Sequence, residues 1–344
     1  MIVTKGIRVV DLFRWTLHHI IWLALMMAGV AALYYFEIIE VRIPWLPVSV
    51  IGTAVAFFVG FKNNQAYDRM WEARKIWGGI VNDSRSWGMM VDGFIGNRIA
   101  EVKRSAEELQ GIKRRLIYRH IAWLYAHRSQ LLVASPWEHA SQGGHTERTA
   151  KYYQRKFGLG LLDDEITRNE LKEFLPPEEH DRLIAAVNTA TQIVNEQSRD
   201  LARLREEGLV DDFRHVQMTG VLRTFYELQG KNERIKKFPL PRQYANMSRY
   251  FVAIFLLLFP FSIIPELMAV GDWGFALSVP IAVLIGWVYV MMEVVGDYTE
   301  NPFQGMANDI PMMSLCRTIE IDLRQMLGED DLPAAVPAKN GVLM

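Results

Sequence analysis

The chain has 344 residues, of which 50% are hydrophobic and 22% are charged, and its formal net charge is -1 at pH 7. This composition excludes both an all-membrane protein and an ordinary soluble one, so the charged residues must be segregated along the chain. The near-neutral charge argues against a nucleic-acid partner. The single cysteine, Cys316, excludes an intramolecular disulfide and is expected to be a buried small hydrophobic residue.

Four apolar segments are candidates for membrane-spanning helices, which need about 20 predominantly apolar residues. The third segment is short, but Leu267 to Val270 can extend it beyond Glu266. The fourth contains Pro280, which membrane helices tolerate. The predicted spans are Trp15 to Phe36, Ile43 to Phe61, Tyr250 to Pro265 and Trp273 to Met292.

The charged residues beside these spans predict their orientation. Basic residues precede the first and third spans and follow the second, whereas the opposite loops contain Glu37, Glu40, Glu266 and Asp272 against one basic residue, Arg42. The positive-inside rule then places both termini and the central region in the cytoplasm. The predicted division is a cytoplasmic N-terminal arm at 1–14, transmembrane helices 1 and 2 at 15–61, a cytoplasmic helical domain at 62–249, transmembrane helices 3 and 4 at 250–292, a cytoplasmic post-membrane segment at 293–327 and a flexible tail at 328–344.

The central region is predicted to consist of helices joined by loops. Apolar residues recur at helical spacing from Ala106 to Arg128, and a loop is expected near residues 135 to 148. Pro176-Pro177 opens a further helix, which continues from Asp181 to Glu206. Because alternating strand patterns are scarce, the fold class is predicted to be all-α. The apolar face of the last helix is formed by Leu183, Ala186, Val187, Ala190, Ile193 and Val194.

The second span carries two neighbouring stripes of residues at four-residue spacing. Gly52, Ala56 and Gly60 form a small-residue stripe, which allows helices to approach closely. One position further on, the second stripe is Thr53, Phe57 and Phe61. A ring of identical helices around a narrow axis would require such an arrangement. The spacing alone leaves open that the phenylalanines face lipid or pack against another span of the same chain.

Three segments of the sequence resemble the bestrophin family of ion channels, especially its bacterial members. The segment from Gly60 to Gly78, which reads GFKNNQAYDRMWEARKIWG, resembles the family signature. The segment from Gln229 to Pro241 resembles the one before the family's third span, and Asn301-Pro302-Phe303 resembles the motif after its fourth. The matches occur in the family's order, and the resemblance extends to about residue 325.

The resemblance implies a homopentamer in the bacterial inner membrane, in which each chain has four identical partner subunits around one central pore. Membrane lipid and small monovalent ions are the other expected partners, and no cofactor is expected. The family's pore neck consists of three apolar rings, which fall on Thr53, Phe57 and Phe61. Thr53 departs from the usual aliphatic residue, and its hydroxyl would ease hydration of the first ring.

The family also has a constriction at the cytoplasmic end of the pore, which a gap-free count places near Phe213. The alternative is that Phe213 is a core aromatic residue. Its neighbours Asp211 and Asp212 are candidates for attracting cations. Together with the acidic outer loops, they favour a channel that is selective for cations such as sodium. The alternative is an anion channel for chloride, because the edges of phenylalanine rings carry positive character.

Eukaryotic bestrophins bind calcium through several acidic residues after the Asn-Pro-Phe motif, and calcium requires six to eight oxygen ligands. Here the run Gln304 to Asp309 contains one acidic residue, so neither a calcium switch nor another metal site is predicted. Asp309 is expected to cap or pair locally. Asn301, Pro302 and Phe303 are expected to form a turn that docks the tail.

The polar and aromatic residues of the signature are predicted to make structural contacts between helices and subunits, because an unpaired buried charge is costly. An enzyme and a membrane scaffold remain alternatives from other classes. The chain lacks a His-Glu-x-x-His pair and a phosphate-binding glycine loop. The adjacent His18 and His19 cannot readily share one metal ion, because neighbouring helical residues point about 100° apart. The signature residues with predicted structural roles are Asn63, Asn64, Gln65, Tyr67, Asp68, Arg69, Trp71, Glu72 and Arg74.

Overall fold

A computed structural model describes residues 1–6, 9–157 and 171–344. Within these ranges the regular secondary structure is α-helix, apart from a short 3-10 helix and isolated β-bridges, which confirms the predicted all-α class. The α-helices are α1 (Val9–Tyr35), α2 (Trp45–Phe94), α3 (Ala106–Leu132), α4 (Gly144–Phe157), α5 (Pro177–Ile184), α6 (Thr189–Glu206), α7 (Asp212–Lys237), α8 (Arg242–Leu258), α9 (Pro260–Met268), α10 (Asp272–Thr299) and α11 (Met312–Met326).

The chain forms two compact units. The first, which we call the span unit, comprises residues 4–69 and 239–301. The second, which we call the helical unit, comprises residues 1–3, 70–238 and 302–344. The predicted central domain therefore loses residues at both ends to the span unit. The predicted post-membrane segment is divided, because residues 293–301 belong to the span unit and the part from residue 302 onward belongs to the helical unit.

Among the residues that the structure describes, four helical segments are long and apolar enough to cross a membrane, as predicted. They are Trp15–Tyr35, the apolar part of Trp45–Phe94, Arg242–Met268 and Trp273–Thr299. Inside the span unit, α10 packs against α1, α8 and α9. The core of this unit consists of buried aliphatic and aromatic side chains from α1, α2, α8 and α10, among them Leu23, Met27, Val55, Val59, Phe255 and Val290, together with Phe259 between α8 and α9.

The third span differs from its prediction in two ways. It begins at Arg242 rather than at Tyr250, and α8 gives way to α9 at Phe259 because Pro260 has no N–H to continue the helical hydrogen bonds. The earlier start is stabilised by an ion pair between Arg242 Nη1 and Glu300 Oε1 at 3.3 Å. The pairing of Arg242 thus allows α8 to begin before the predicted start of the third span.

The helical unit is organised around α3, which packs against α6, α7 and α11. Ser105 caps the start of α3, where its side chain accepts a hydrogen bond from the Glu108 N–H and the Glu108 carboxylate accepts one in return. From α3, the buried Arg119 pairs with Glu179 (2.6 Å) and Asp200 (2.8 Å). Trp77, Trp87, Trp123 and Phe225 are fully buried around the same helix.

Two predictions for the central region need correction. The loop expected near residues 135 to 148 ends early, because Gly143 and Gly144 adopt positive φ angles of 73° and 61° and the chain then turns directly into α4. The helix expected over Asp181 to Glu206 is interrupted between α5 and α6, where Asn188 caps the new helix by accepting from the Thr191 N–H. Val187 lies in this break and is fully exposed, so it does not belong to the apolar face.

The C-terminal tail forms no helix beyond Met326. Its end forms an antiparallel bridge between Val342 and Ile2, and Val342 and Met344 are buried in the core of the helical unit. Glu329 accepts hydrogen bonds from Tyr118 and Arg324. These parts of the tail are packed, where the sequence predicted a flexible segment.

Candidate functional site

The predicted pore-lining stripe lies on an uncovered face of α2. Phe57 is 67% exposed and Phe61 is 62% exposed, and Thr53 is exposed on the same side of the helix. Val55 and Val59, on the opposite side, are buried. The alternative in which these phenylalanines pack against another span of the same chain is therefore wrong. Their role as pore neck remains a prediction.

Thr53 uses its hydroxyl proton within its own helix. Its Oγ1 donates a hydrogen bond to the Ser49 carbonyl oxygen at 2.9 Å. The hydroxyl oxygen keeps lone pairs that can accept from water. Thr53 can therefore contribute an acceptor, but no free donor, to any water at this position.

The small-residue stripe beside it contributes to packing within the chain at one of its two glycines. A Cβ atom at Gly52 would lie 2.9 Å from Phe255 and 3.0 Å from the Tyr289 hydroxyl, so Gly52 permits α8 and α10 to approach α2. A Cβ atom at Gly60 would meet no atom within 4 Å. Close helix approach, which the spacing predicted for the whole stripe, is therefore seen at Gly52 and is not seen at Gly60.

A buried ion pair follows the stripe directly. Lys62 is 1% exposed, and its Nζ donates to Glu293 Oε1 on α10 at 2.5 Å. The Ser248 hydroxyl on α8 is within hydrogen-bonding distance of the same oxygen, at 3.0 Å. The sequence predicted Lys62 only as a cytoplasmic positive charge. The available signal was that Lys62 and Glu293 are the first residues after two predicted spans.

The next residue, Asn63, contacts the backbone of α10. Its Nδ2 donates to the Met292 carbonyl oxygen at 2.9 Å. A Cβ atom on Gly296 would lie only 2.0 Å from Asn63 Oδ1, so the absence of a side chain at Gly296 makes this contact possible. Asn63 thus contacts another helix of the same unit.

The remaining signature residues are less buried. Asn64, Gln65 and Asp68 are exposed on α2, and so are Tyr67 and Trp71, whereas Arg69 and Arg74 are partly exposed. Glu72 pairs with Lys75 one turn further along the same helix, at 2.8 Å. Their predicted contacts between subunits remain a prediction.

Phe213 lies in the first turn of α7 and is 87% exposed, so the alternative of a core aromatic residue is wrong. Its acidic neighbours are paired with arginines. Asp211 caps α7 by accepting from the Arg214 N–H at 3.0 Å and pairs with the Arg214 guanidinium at 3.3 Å. Asp212 pairs with Arg205 at 2.5 Å. These arginines offset much of the negative charge that was predicted to attract cations.

The Asn-Pro-Phe segment leads into a turn at Pro302 and Phe303, and its predicted docking of the tail remains a prediction. Phe303 is buried and has a positive φ of 76°. The Asp309 carboxylate accepts from the N–H groups of Phe303, Gly305 and Ile310, at 2.9, 2.7 and 2.7 Å, which confirms that Asp309 pairs locally. Burial raises the pKa of Asp309, although these hydrogen bonds oppose the shift. The Asn301 side-chain amide donates a hydrogen bond to the carboxylate of the preceding residue, Glu300.

A second buried ion pair lies in the helical unit and was not predicted. Lys236 Nζ donates to Glu138 Oε1 at 2.6 Å, and both side chains are buried. Burial raises the pKa of Glu138 and lowers that of Lys236, while the pairing opposes both shifts. In the described ranges, no group of three or more histidine, cysteine or acidic side chains is arranged to hold a metal ion.

These observations define the class of the protein as an all-α membrane protein with four candidate spans and an uncovered aromatic stripe on the second. A family model described as "Bacterial/Fungal Bestrophin protein" matches residues 7–325. The chain therefore belongs to the bacterial and fungal bestrophin family, which confirms the resemblance seen in the sequence.

Curated proteins and solved structures agree with this assignment. The chain is 24% identical over 309 residues to the Escherichia coli K12 "Voltage-dependent anion channel-forming protein YneE", covering 90% of this chain and 85% of the relative. It is 26% identical over 310 residues to the Salmonella typhi protein of the same name, covering 90% and 86%. A crystal structure of a bacterial bestrophin homolog from Klebsiella pneumoniae matches with a TM-score of 0.72 at 22% identity, covering 91% of this chain and 98% of that chain. This structure supports the fold.

Proposed function

We propose that this protein is an ion channel, which passes small monovalent ions across the bacterial inner membrane with both termini in the cytoplasm. The observation that carries the proposal is the uncovered stripe of Thr53, Phe57 and Phe61 on an otherwise apolar span. Family membership supports a channel over an enzyme or a scaffold. The names of the curated relatives, which describe channel-forming proteins, support it further.

The proposed assembly is a homopentamer whose five α2 helices surround the pore. An exposed Phe57 and Phe61 in each subunit would form two apolar rings, and Thr53 would form a more polar one. Apolar rings of this kind can gate by losing water. Phe213, exposed at the start of α7, is proposed to form a further constriction.

Cation selectivity and anion selectivity are both candidates. The acidic outer loops favoured a cation such as sodium, but Asp211 and Asp212 lend this sign less support because each is paired with an arginine. The curated relatives are named as anion channel-forming proteins, and this favours the second candidate, an anion channel for chloride. Both candidates share the architecture and the neck.

The test is to measure reversal potentials of the purified protein in a lipid bilayer with unequal NaCl concentrations on the two sides. A reversal potential near the sodium equilibrium value would establish the cation channel, and one near the chloride value the anion channel. Mass measurement of the intact complex would give the subunit count. No current, despite verified insertion, would refute the channel.

A variant with a matched control tests the neck. Phe57→Ala removes a proposed ring and should raise the single-channel conductance. Phe275→Ala removes an exposed phenylalanine from α10, outside the proposed neck, and should leave the conductance unchanged. Equal effects of the two substitutions would show that Phe57 does not line the pore.

A further inference from the structure

The buried pair between Lys62 and Glu293 lies one residue beyond the proposed neck. A lysine that is 1% exposed must be paired, because an isolated ammonium group is strongly disfavoured away from water. Its partner comes from α10, and Ser248 on α8 contacts the same carboxylate oxygen. The contact therefore joins α2 to two other spans of the same unit.

The position of these residues on α2 relates them to the neck. Successive residues of a helix are turned by about 100°, so Lys62 and Asn63 point about 100° and 200° away from Phe61. Lys62 is held by Glu293, and Asn63 is held by the Met292 carbonyl against Gly296. With two consecutive residues anchored on one side, the helix cannot turn about its axis without breaking both contacts.

The hydrogen bonding of Glu293 indicates what this pair is for. Lys62 and Ser248 both lie at Oε1, whereas Oε2 is buried without a hydrogen-bond partner among the described residues. A buried pair that leaves an oxygen unsatisfied adds little net stability, and breaking such a pair is nonetheless costly. Buried ionic groups with these properties are best attested as determinants of register.

We propose that Lys62 and Glu293, together with the contact of Asn63 on Gly296, set the rotation of α2 that turns Phe57 and Phe61 away from the rest of the chain. They are positioning residues that do not contact the conducted ion. This inference rests on the proposed function for its consequence in the pore, and on the contacts within the span unit for the positioning itself.

The experiment compares the reactivity of cysteines at two positions on α2 in the reconstituted full-length protein. Cys316 is the one cysteine of the sequence, and it is replaced by serine so that only the introduced cysteines react with the label. Phe61→Cys reports the exposed stripe, and Phe58→Cys reports the side that packs against Tyr244 and Phe251, with ring centroids 5.1 Å apart in each case. The measured quantity is the ratio of the labelling rates at 61 and 58 with a membrane-impermeant maleimide.

The expected result is a high ratio in the parent protein and a fall on the order of ten-fold in Lys62→Met. Reversing the pair, with Lys62→Glu and Glu293→Lys together, should restore much of the ratio. Arg249→Gln is the matched control, because Arg249 pairs with Asp297 between α8 and α10 without involving α2. Loss of stability alone would reduce the yield of folded protein and leave the ratio unchanged.

The outcomes separate this inference from the proposed function. An unchanged ratio in Lys62→Met would overturn the positioning role. If Lys62→Met does not insert, Gly296→Ala is the second variant, since its Cβ atom would collide with Asn63 and should lower the ratio in the same direction. Because labelling needs no current, it tests the positioning even if the protein does not conduct, in which case only the channel proposal fails.

Discussion

Two buried histidines of α3 make the stability of the helical unit dependent on pH. His127 is stacked between Trp123 and Trp77, with ring centroids 5.7 and 5.9 Å away. His120 lies against Phe225 at 4.4 Å. Burial lowers the pKa of His120 to about 3 and that of His127 to about 4, from an ordinary value near 6.5. Both side chains are therefore buried in the neutral form.

The sign of the effect follows from proton binding. Between these folded pKa values and about 6.5 the unfolded chain binds more protons than the folded one, so the free energy of unfolding falls as the pH falls. From about pH 7.5 to about pH 5, each histidine lowers it by ~2 kcal/mol, and the two together by ~4 kcal/mol. Below the folded pKa values the loss reaches its limit.

The perturbation that tests this is His127→Gln, which removes one titrating group and retains an acceptor near the position of Nε2, where Asn232 donates at 3.0 Å. Denaturant unfolding is followed by tryptophan fluorescence at about pH 7.5 and about pH 5, and the variant should lose ~2 kcal/mol less than the parent protein between them. His145→Gln changes an exposed histidine of α4 and should leave the parent's loss unaltered. The same loss in His127→Gln as in the parent would refute the reasoning.

Two further substitutions test the helical unit, both by thermal unfolding. Gly208→Ala should lower the free energy of unfolding by about 1–3 kcal/mol, because Gly208 has a φ of 70° and a Cβ atom would lie 2.8 Å from the Ile99 carbonyl oxygen. An unchanged unfolding midpoint would contradict this close approach. Arg119→Met should cost about 3–5 kcal/mol, because it removes the charged partner of Glu179 and leaves Asp200 with only the more exposed Arg115 and Arg203. A loss below about 1 kcal/mol would show that the network is dispensable.

The fold was largely predictable because its signals are local. Four apolar segments of membrane length are visible in the sequence, and the family signature lies at the end of the second. The ends of the helices were less predictable. The sequence predicts Arg242 and Arg249 just before the third span. Both lie within α8, because Arg242 pairs with Glu300 and Arg249 pairs with Asp297.

The candidate site was predictable in part. Helical periodicity alone indicated that Thr53, Phe57 and Phe61 share one side of α2, and the structure leaves that side uncovered. Periodicity cannot identify a partner distant in the sequence, however. Lys62 and Glu293 are 231 residues apart, so their pairing required the fold.

The misplaced residue Val187 illustrates another limit. It fits the apolar spacing of a continuous helix, but Asn188 ends that continuity by capping a new one. Asparagine side chains can compete with helical hydrogen bonding, but they do so only in some helices. The apolar spacing therefore did not predict the break at Asn188. A single polar residue was enough to remove Val187 from the core.

The continuous helix α2 places a strict condition on the length of this part of the chain. It runs for 50 residues without a break, a rise of about 75 Å. Inserting or deleting one residue within it would turn all following side chains by about 100° about the helix axis. Such a change early in the helix would move Phe57 and Phe61 off the uncovered side, and one beyond Lys62 would move Trp77 off its buried side. Substitutions can be absorbed one position at a time, whereas a change of length in this helix alters every position after it.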